Sequence, residues 1–319
     1  MRIHVIVLAT FLFTSTLSFS EENNTTETSK LHMDRENVAQ LASGYRSMRT
    51  TLETGKTSLN TQGLDRLLIV GCPQFSEGEF HALLTQIQKE HPGSLPHHVY
   101  IFDLREESHG FVQGHSIYWR GPRNDANKGI ALDMLLPQEH EQLKNLKNQS
   151  VVLAPLKKQM TDPPFKNSVF ALSTRDPYTE KALVQGVGSH YIRVPITDHC
   201  PPTPHQIDLF LSYFRDLPKE AISVFHCKGG WGRTTTFMVL SDIWMNHDKA
   251  SCAEIIARQA AFPESMDLAH HEVLDNKWKI EKSKERLKII HDFYEYASTP
   301  DVKNQMTFRE FSLRRYFKK

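Results

Sequence analysis

The sequence predicts an α/β fold in which a central, mostly parallel sheet is flanked by helices. Short apolar runs alternate with amphipathic segments, and capping signals or glycine- and proline-rich turns separate the two. The apolar runs that fit short buried strands are residues 67–70, 99–104, 151–153, 169–172, 191–194 and 221–226. Strands that alternate with helices in this way are typical of parallel sheets.

The helices are predicted from their ends. Residues 76–79 and 251–254 have the sequence of capping boxes, and residues 91–93, His-Pro-Gly, fit the end of the first of these helices. Asp176, which precedes a proline, predicts the start of another helix. The remaining predicted helices are residues 205–217 and 234–247.

The first twenty residues have the pattern of a secretory signal peptide. Arg2 supplies a positive start, residues 5–17 are predominantly apolar, and small residues precede a predicted cleavage after Ser20. The apolar part is too short to span a bilayer, although an uncleaved anchor is an alternative. We therefore expect a flexible leader over residues 21–44 and a periplasmic or secreted protein.

Composition and charge exclude several classes of function. The 319 residues carry a net charge of +1, with 24% charged and 39% hydrophobic residues. This balance indicates a globular protein with no bulk affinity for nucleic acid or membranes. No run of His, Cys, Asp and Glu has zinc-ligand spacing, so no metal site is predicted. The four cysteines do not form a disulfide scaffold; unpaired thiols are expected, with a reversible Cys200–Cys227 bond as an alternative.

Residues 226–235, HCKGGWGRTT, carry the most informative motif. An apolar strand precedes them and a helical pattern follows, so backbone N–H groups and a helix N-terminus converge on one point. Arg233 can grip two phosphate oxygens, and the same positive field favours Cys227 as a nucleophilic thiolate. The motif predicts cysteine-dependent hydrolysis of phosphate esters, with substrate bound by the loop residues Lys228, Gly229, Gly230, Trp231 and Gly232. A structural cysteine beside a glycine turn, and a rhodanese or arsenate-reductase type of thiol enzyme, are the alternatives.

Residues 197–204, TDHCPPTP, lie upstream of that loop and supply a candidate acid. Phosphoryl transfer to a thiolate needs a proton donor for the leaving oxygen. Asp198 lies on a proline-stiffened loop, which Thr203 anchors as the cap of the next helix. We expect Asp198 to be the general acid; the alternative is that it only begins a turn.

Three segments narrow the comparison with known families. Residues 103–110 (DLREESHG), 118–121 (YWRG) and 197–199 (TDH) resemble the bacterial protein-tyrosine-phosphatase-like inositol phosphatases, or cysteine phytases, from about residue 45 to about residue 297. The resemblance implies stepwise removal of phosphates from myo-inositol polyphosphates without a metal or other cofactor. It also implies one domain over residues 45–319, a tyrosine-phosphatase-like core with a small β-rich insertion roughly within residues 105–175.

The resemblance also assigns roles to side chains. It makes Cys227 the nucleophile, Arg233 the phosphate clamp and Asp198 the general acid, with Thr234 bonded to the thiolate. The side chains that it implies in substrate binding are His199, Arg46, Lys279 and Arg286. Lys279 and Arg286 are two helical turns apart and face one way, either toward substrate or toward solvent. Lys282 and Lys288 are expected to face solvent.

The chain departs from the family pattern at three places near the site. A pocket Asp of the family is shifted here or replaced by Asn124, and Lys228 and Trp231 replace an acidic and a small apolar loop residue. The order of phosphate removal therefore stays open. So do the alternative substrates, phosphotyrosine or other phosphoproteins and phosphoinositide lipids, and a non-catalytic phosphate-binding module. A homodimer is compatible with the sequence.

Overall fold

The computed structural model describes residues 30–53, 59–153, 170–270 and 276–317. The predicted signal peptide and residues 21–29 of the predicted leader lie outside the described residues. Within them, no helix is long and apolar enough to cross a membrane.

Strands and helices alternate along most of the described chain. The strands are β1 (Lys30–Arg35), β2 (Arg46–Ser47), β3 (Ile69–Pro73), β4 (Val99–Arg105), β5 (His109–Val112), β6 (His115–Arg120), β7 (Ser150–Leu153), β8 (Phe170–Ser173), β9 (His190–Ile196) and β10 (Ile222–Cys227). The helices are α1 (Glu77–Glu90), α2 (Leu132–Leu146), α3 (Glu180–Gly186), α4 (Pro204–Phe214), α5 (Gly232–Asn246), α6 (Cys252–Ala260), α7 (Lys277–Ser298), α8 (Pro300–Gln305) and α9 (Phe308–Phe317).

The central sheet has five strands in the order β2-β3-β10-β4-β9. Strands β3, β10, β4 and β9 run parallel, and the short β2 is antiparallel to β3. The predicted α/β class with a mostly parallel sheet is therefore confirmed. Strand β10 lies in the middle, so its last residue, Cys227, stands at the carboxyl edge of the sheet between the ends of β3 and β4.

Apolar side chains cover both faces of the central sheet. Helices α4, α5, α6, α7 and α9 contribute to the larger core, which includes Phe225 and Phe237. Helices α1 and α3 contribute to the core on the other face, with Val224 from the sheet. Helix α5 is buried along nearly its whole length, as expected of a helix that is apolar on several sides. The nucleophile-bearing strand is thus fixed from both faces.

A smaller antiparallel sheet, in the order β1-β6-β5, packs beside α2. Strand β1 pairs with β6 in the register Lys30↔Arg120, and Met33 is buried with Ile117 and Leu143. The prediction of a flexible leader is therefore wrong from residue 30 onward, because an apolar anchor inside a polar-looking segment holds it in a sheet. Strands β7 and β8 form a separate two-stranded sheet.

The predicted helix starts are confirmed at two capping boxes and wrong at one site. The side chains of Ser76 and Ser251 each accept a hydrogen bond from the backbone N–H of the third helical residue, a glutamate. The carboxylate of that glutamate accepts the backbone N–H of the serine. The helix expected at Asp176 instead begins at Glu180, capped by Thr179. The reason is that the backbone N–H and C=O of Tyr178 are both bonded to Phe111, which holds this stretch extended.

A buried ion pair joins α5 to α6. Asp242 accepts hydrogen bonds from the guanidinium of Arg258 and from Gln259 Nε2, the latter at 2.8 Å. Arg258 also donates to the carbonyls of Asn60 and Gln62, each at 3.0 Å. Both members of the pair have no exposed surface, so the removal of one charge leaves the other without compensation.

We expect Asp242→Asn to lower the free energy of unfolding by about 3–5 kcal/mol, because Arg258 keeps its buried charge without a counter-ion. Asp248, at the surface after α5, is the matched control, and Asp248→Asn is expected to change stability by less than about 0.5 kcal/mol. Denaturant unfolding of the three proteins measures the difference. A loss below about 1 kcal/mol for Asp242→Asn contradicts the importance of this pair.

Candidate active site

The loop between β10 and α5 has the geometry of an anion site. Gly230 has a φ of +72°, and a Cβ there would come 2.6 Å from the backbone nitrogen of Pro73, so only glycine fits without a shift. Lys228 O accepts a bond from the backbone N–H of Gln74 at 3.2 Å, which ties the loop to the end of β3. Helix α5 then begins at Gly232 and directs its N-terminus at the loop.

Cys227 is buried at the base of this loop, with 4% of its surface exposed. The hydroxyl of Thr234 donates to its Sγ at 3.2 Å, as the resemblance implied. A bond of this kind stabilises a thiolate, and so does the nearby helix N-terminus. All four cysteines of the chain are free, including Cys200, so the alternative of a Cys200–Cys227 bond is not realised in this structure.

Arg233 is the most heavily bonded side chain of the site. Its two terminal nitrogens donate to the two carboxylate oxygens of Glu107, at 2.7 and 3.0 Å, and one of them also reaches the Ile196 carbonyl at 3.1 Å. Burial alone would lower the pKa of Arg233, but the charges of Asp198 and Glu107 raise it well above its ordinary value. Burial likewise acts to raise the pKa of Glu107, yet Arg233 and Arg105 bring it far below the usual range.

Glu107 had no assigned role in the sequence analysis. It lies within the segment 103–110, which served there only to identify a resemblance. The signal that could have found it is an acidic residue two positions after Arg105 at the end of a predicted strand, since strand ends in parallel sheets carry functional side chains. Its partner Arg233 is 126 residues away, so the pairing itself was not visible in the sequence.

Asp198 lies over Arg233, on the loop between β9 and α4. Its Oδ1 is 3.0 Å from Arg233 Nη2 and accepts the backbone N–H of His199 at 3.0 Å. Its Oδ2 accepts from Asn124 Nδ2 at 3.0 Å. Thr203 caps α4 with a capping box, and Pro204 follows, so the loop is fixed at its far end as predicted. The predicted acid and the predicted phosphate clamp are thus in direct contact.

The basic residues around the opening take different positions. The side chain of His199 is 45% exposed and faces the ring of Trp278 on α7, with ring centroids 6.0 Å apart. Burial lowers the pKa of His199, Asp198 acts to raise it, and the charge of Lys279 on α7 lowers it further. Lys282 and Lys288 pair with acidic side chains of their own helix at the surface, as expected.

Arg286 lies between the acid loop and the phosphate loop. Its Nη2 donates to the carbonyls of His199 and Cys200, at 2.7 and 3.3 Å, and its Nη1 comes 3.3 Å from where a Cβ on Gly232 would lie. The residue is 3% exposed, and burial lowers its pKa to about 10. The structure therefore gives Arg286 a part in holding the two loops together, which the sequence had not indicated.

Two residues predicted to contact substrate have protein partners instead. Arg46 has no exposed surface and donates to the carbonyl of Gly230 at 2.8 Å and to Thr235 Oγ1 at 3.0 Å, so it supports the loop from behind. The Nζ of Lys228 pairs with Asp34 of β1 at 2.9 Å and lies 4.6 Å above the ring of Tyr118. Among the other loop residues, Gly229 and Trp231 are exposed, whereas Gly230 is buried.

A second buried ion cluster lies beneath the site, on the side of α3. Asp103, His109 and Glu180 place one ligand-type atom each within 4.8 Å of one another, a set that could hold a metal ion. Arg193 supplies positive charge to the same space, because its Nη1 is 2.5 Å from Asp103 Oδ2 and 3.4 Å from His109 Nε2. Burial and Arg105 lower the pKa of His109, but Asp103 and Glu139 raise it, to about 9. The cluster therefore balances its carboxylates with protein cations.

Comparison with known proteins finds related sequences. The family model of the PTP-like phytases matches residues 102–245 of this chain. The description of that family is inositol hexakisphosphate. The effector protein hopD2 of Pseudomonas syringae pv. tomato is 32% identical over 258 residues, which make up 78% of this chain and 52% of hopD2. The chain thus spans about half the length of this relative.

The fold is shared with solved phytases. The tandemly repeated PTP-like phytase of Mitsuokella multacida is similar with a TM-score of 0.80 and 29% identity over 90% of this chain and 48% of that one. A PTP-like myo-inositol phosphatase from the same organism was solved in complex with myo-inositol-(1,3,4,5)-tetrakisphosphate. Its TM-score is 0.78, with 27% identity, over 89% of this chain and 48% of that one. A PTP-like phytase of Bdellovibrio bacteriovorus has a TM-score of 0.67, with 27% identity, over 90% of this chain and 96% of that one. The resemblance predicted from the motifs is therefore confirmed, and this chain has the sequence signature and the fold of the protein-tyrosine-phosphatase-like inositol phosphatases.

Proposed function

We propose that this protein is a cysteine-dependent phosphatase that removes phosphates stepwise from myo-inositol polyphosphates. The observation that carries the proposal is the meeting of three groups in one buried site: a cysteine bonded by Thr234, an arginine held by Glu107, and Asp198 in contact with that arginine. The family model and the inositol tetrakisphosphate bound by the Mitsuokella multacida relative support the substrate class.

The geometry supports a two-step mechanism. The Cys227 thiolate attacks phosphorus, an S–P bond forms, and the P–O bond to the inositol oxygen breaks while Asp198 donates its proton to that oxygen. Arg233 and the backbone N–H groups of the loop bind the phosphate oxygens as charge develops on them. In the second step, Asp198 takes a proton from water, the water oxygen attacks phosphorus, and the S–P bond breaks to release phosphate and the thiolate. Thr234 stabilises that leaving thiolate.

The charge around the opening supports the substrate class. Lys279 lies near His199 of the acid loop, and the buried Arg286 binds the carbonyls of that loop, so positive charge extends beyond the phosphate loop. This charge attracts a disc that carries several phosphates, and an isolated phosphotyrosine does not require it. The competing candidates, phosphoproteins and phosphoinositide lipids, remain outcomes of the experiments below, as does a non-catalytic binding module.

The place of action and the assembly are part of the same proposal. The signal-peptide pattern of residues 1–20 supports export to the periplasm or the medium. The near-zero net charge supports a small-molecule substrate rather than nucleic acid. A homodimer stays a prediction.

We expect residues 21–319 to release phosphate from myo-inositol hexakisphosphate in the presence of EDTA, and Cys227→Ser to abolish this release while substrate binding is kept. The hydroxyl of serine is not ionised at neutral pH and does not replace the thiolate. Phosphate release and calorimetric binding measure the two effects. Turnover of aryl phosphates alone would favour phosphoprotein or lipid substrates, and no turnover of either would favour the binding module.

We expect Asp198→Asn to slow the hydrolysis of inositol hexakisphosphate by about 10²–10⁴-fold, because the leaving alkoxide then lacks a proton donor. The nitrophenolate of 4-nitrophenyl phosphate leaves without a proton, so its hydrolysis should fall much less. The kcat values for both substrates test this. An equal loss for the two would argue against an acid role for Asp198.

We expect Lys279→Ala to raise KM for inositol hexakisphosphate several-fold, by roughly the 1 kcal/mol or less of a partly exposed charge contact, and to leave KM for 4-nitrophenyl phosphate unchanged. The matched control is Lys288→Ala on the same helix, since Lys288 pairs with Asp292 at the surface. Steady-state kinetics at two salt concentrations measure the effect. If both variants behave alike, Lys279 belongs to the solvated face.

A further inference from the structure

Asn124 lies in the turn after β6 and contacts the carboxylate of the proposed general acid. Its Nδ2 donates to Oδ2 of Asp198 at 3.0 Å, and the residue is only 6% exposed. Its backbone has a φ of +60°, in the left-handed region, which Asn adopts more readily than other residues with a side chain. Its N–H donates to the carbonyl of Gly121 at 3.1 Å. The turn therefore presents the amide to Asp198 in a fixed position.

The two carboxylate oxygens of Asp198 have different surroundings. Oδ1 accepts the backbone N–H of His199 at 3.0 Å. It also lies 3.0 Å from Nη2 of Arg233, the group that binds phosphate in the proposed function, so Oδ1 faces the reacting centre. Oδ2 accepts the amide of Asn124. The imidazole Nε2 of His199 is 3.8 Å from Oδ2, beyond hydrogen-bond distance. In the described part of the chain, Asn124 is thus the side chain that donates to Oδ2.

The two oxygens of Asp198 are thus held by donors from two directions, the backbone N–H of His199 at Oδ1 and the Asn124 amide at Oδ2. Two contacts of this kind fix the plane of the carboxyl group. We propose that Asn124 is a positioning residue that holds the carboxyl group of Asp198 in the orientation in which Oδ1 faces the leaving group. This inference rests on the proposed phosphatase function.

Substrate binding makes this second anchor important. A phosphate bound to Arg233 replaces Oδ1 as the partner of Nη2, so Asp198 loses one of its two side-chain contacts when it must act. The bond from Asn124 to Oδ2 lies on the far side of the carboxyl group and is retained. It therefore holds the acid in place while the proton moves.

Several charged groups lie around the acid loop and the phosphate loop, and the test must separate Asn124 from them. They are Arg233 on α5, Cys227 on β10, Lys279 and Arg286 on α7, His199 on the acid loop, Glu106 and Glu107 after β4, and Arg123 and Asp125 beside Asn124. The variants below change none of these groups. In one control background Asp198 itself is replaced by asparagine.

The test uses Asn124→Gly, which removes the amide without backbone strain, and Asn124→Asp, which keeps the shape but replaces the donor by an acceptor. The matched control is Asn148→Gly, because Asn148 is an exposed asparagine with a φ of +62° in another turn. Each protein is assayed with phenyl phosphate, 4-nitrophenyl phosphate and inositol hexakisphosphate over a range of pH. Thermal unfolding shows whether a variant is folded, and loss of the fold in one variant leaves the other as the test.

We expect kcat for phenyl phosphate and inositol hexakisphosphate to fall by about 10–100-fold in both variants, the scale of a misplaced catalytic group, and kcat for 4-nitrophenyl phosphate by less than about threefold. In Asn124→Asp, two facing carboxylates share a proton, so the basic limb of the pH–rate profile should shift to higher pH. On an Asp198→Asn background, Asn124→Gly should cause no further loss. Asn148→Gly should behave as the unchanged protein.

Three outcomes would contradict the proposed role of Asn124. An equal loss for good and poor leaving groups would show that Asn124 is only structural, and so would losses that add in the double variant. If the unchanged protein hydrolyses aryl phosphates but the variants keep its preference among leaving groups, the inference fails and the phosphatase function stands. If the unchanged protein hydrolyses no phosphate ester, the proposed function fails, and the inference fails with it.

Discussion

The bidentate ion pair between Glu107 and Arg233 is the interaction on which the site depends. It joins the end of β4 to the start of α5, two elements far apart in sequence, and fixes the plane of the guanidinium. A buried arginine without this partner would be free to turn, and its charge would be uncompensated. Because Glu107 binds both terminal nitrogens on one side of the fork, Nη1 also reaches the Ile196 carbonyl and Nη2 also reaches Asp198.

This pair belongs to a longer chain of alternating charges. Lys228, Asp34, Arg105, Glu107, Arg233 and Asp198 follow one another in contact, each with a neighbour of opposite sign. The chain of charges starts at Lys228 in the phosphate loop, passes through Asp34 on β1 and ends at Asp198 in the acid loop. Such a network holds its members in one arrangement before substrate arrives, which is the condition for electrostatic stabilisation of a transition state.

The sequence predicted what depends on neighbouring residues and missed what depends on distant ones. Capping boxes, apolar strands and the loop around Cys227 are local patterns, and the structure confirms the elements that they predicted. The roles of Asp34 and Glu107 were not predicted. Lys228, which binds Asp34, and Arg233, which binds Glu107, lie 194 and 126 residues away from them. Arg46 was assigned to substrate because a resemblance gives the position of a residue but not the direction of its side chain.

The order of strands in the central sheet has a consequence for how the chain folds. Strand β10 comes last of the five along the sequence, yet it lies in the middle of the sheet, between β3 and β4. The earlier strands therefore cannot close a sheet until more than two hundred residues of the chain are present, and the contacts that do so are of long range. The same strand carries Cys227 at its end, so completion of the central sheet and placement of Cys227 at its carboxyl edge are one event. A chain that emerges gradually thus has no Cys227 at the edge of this sheet before the last strand is made.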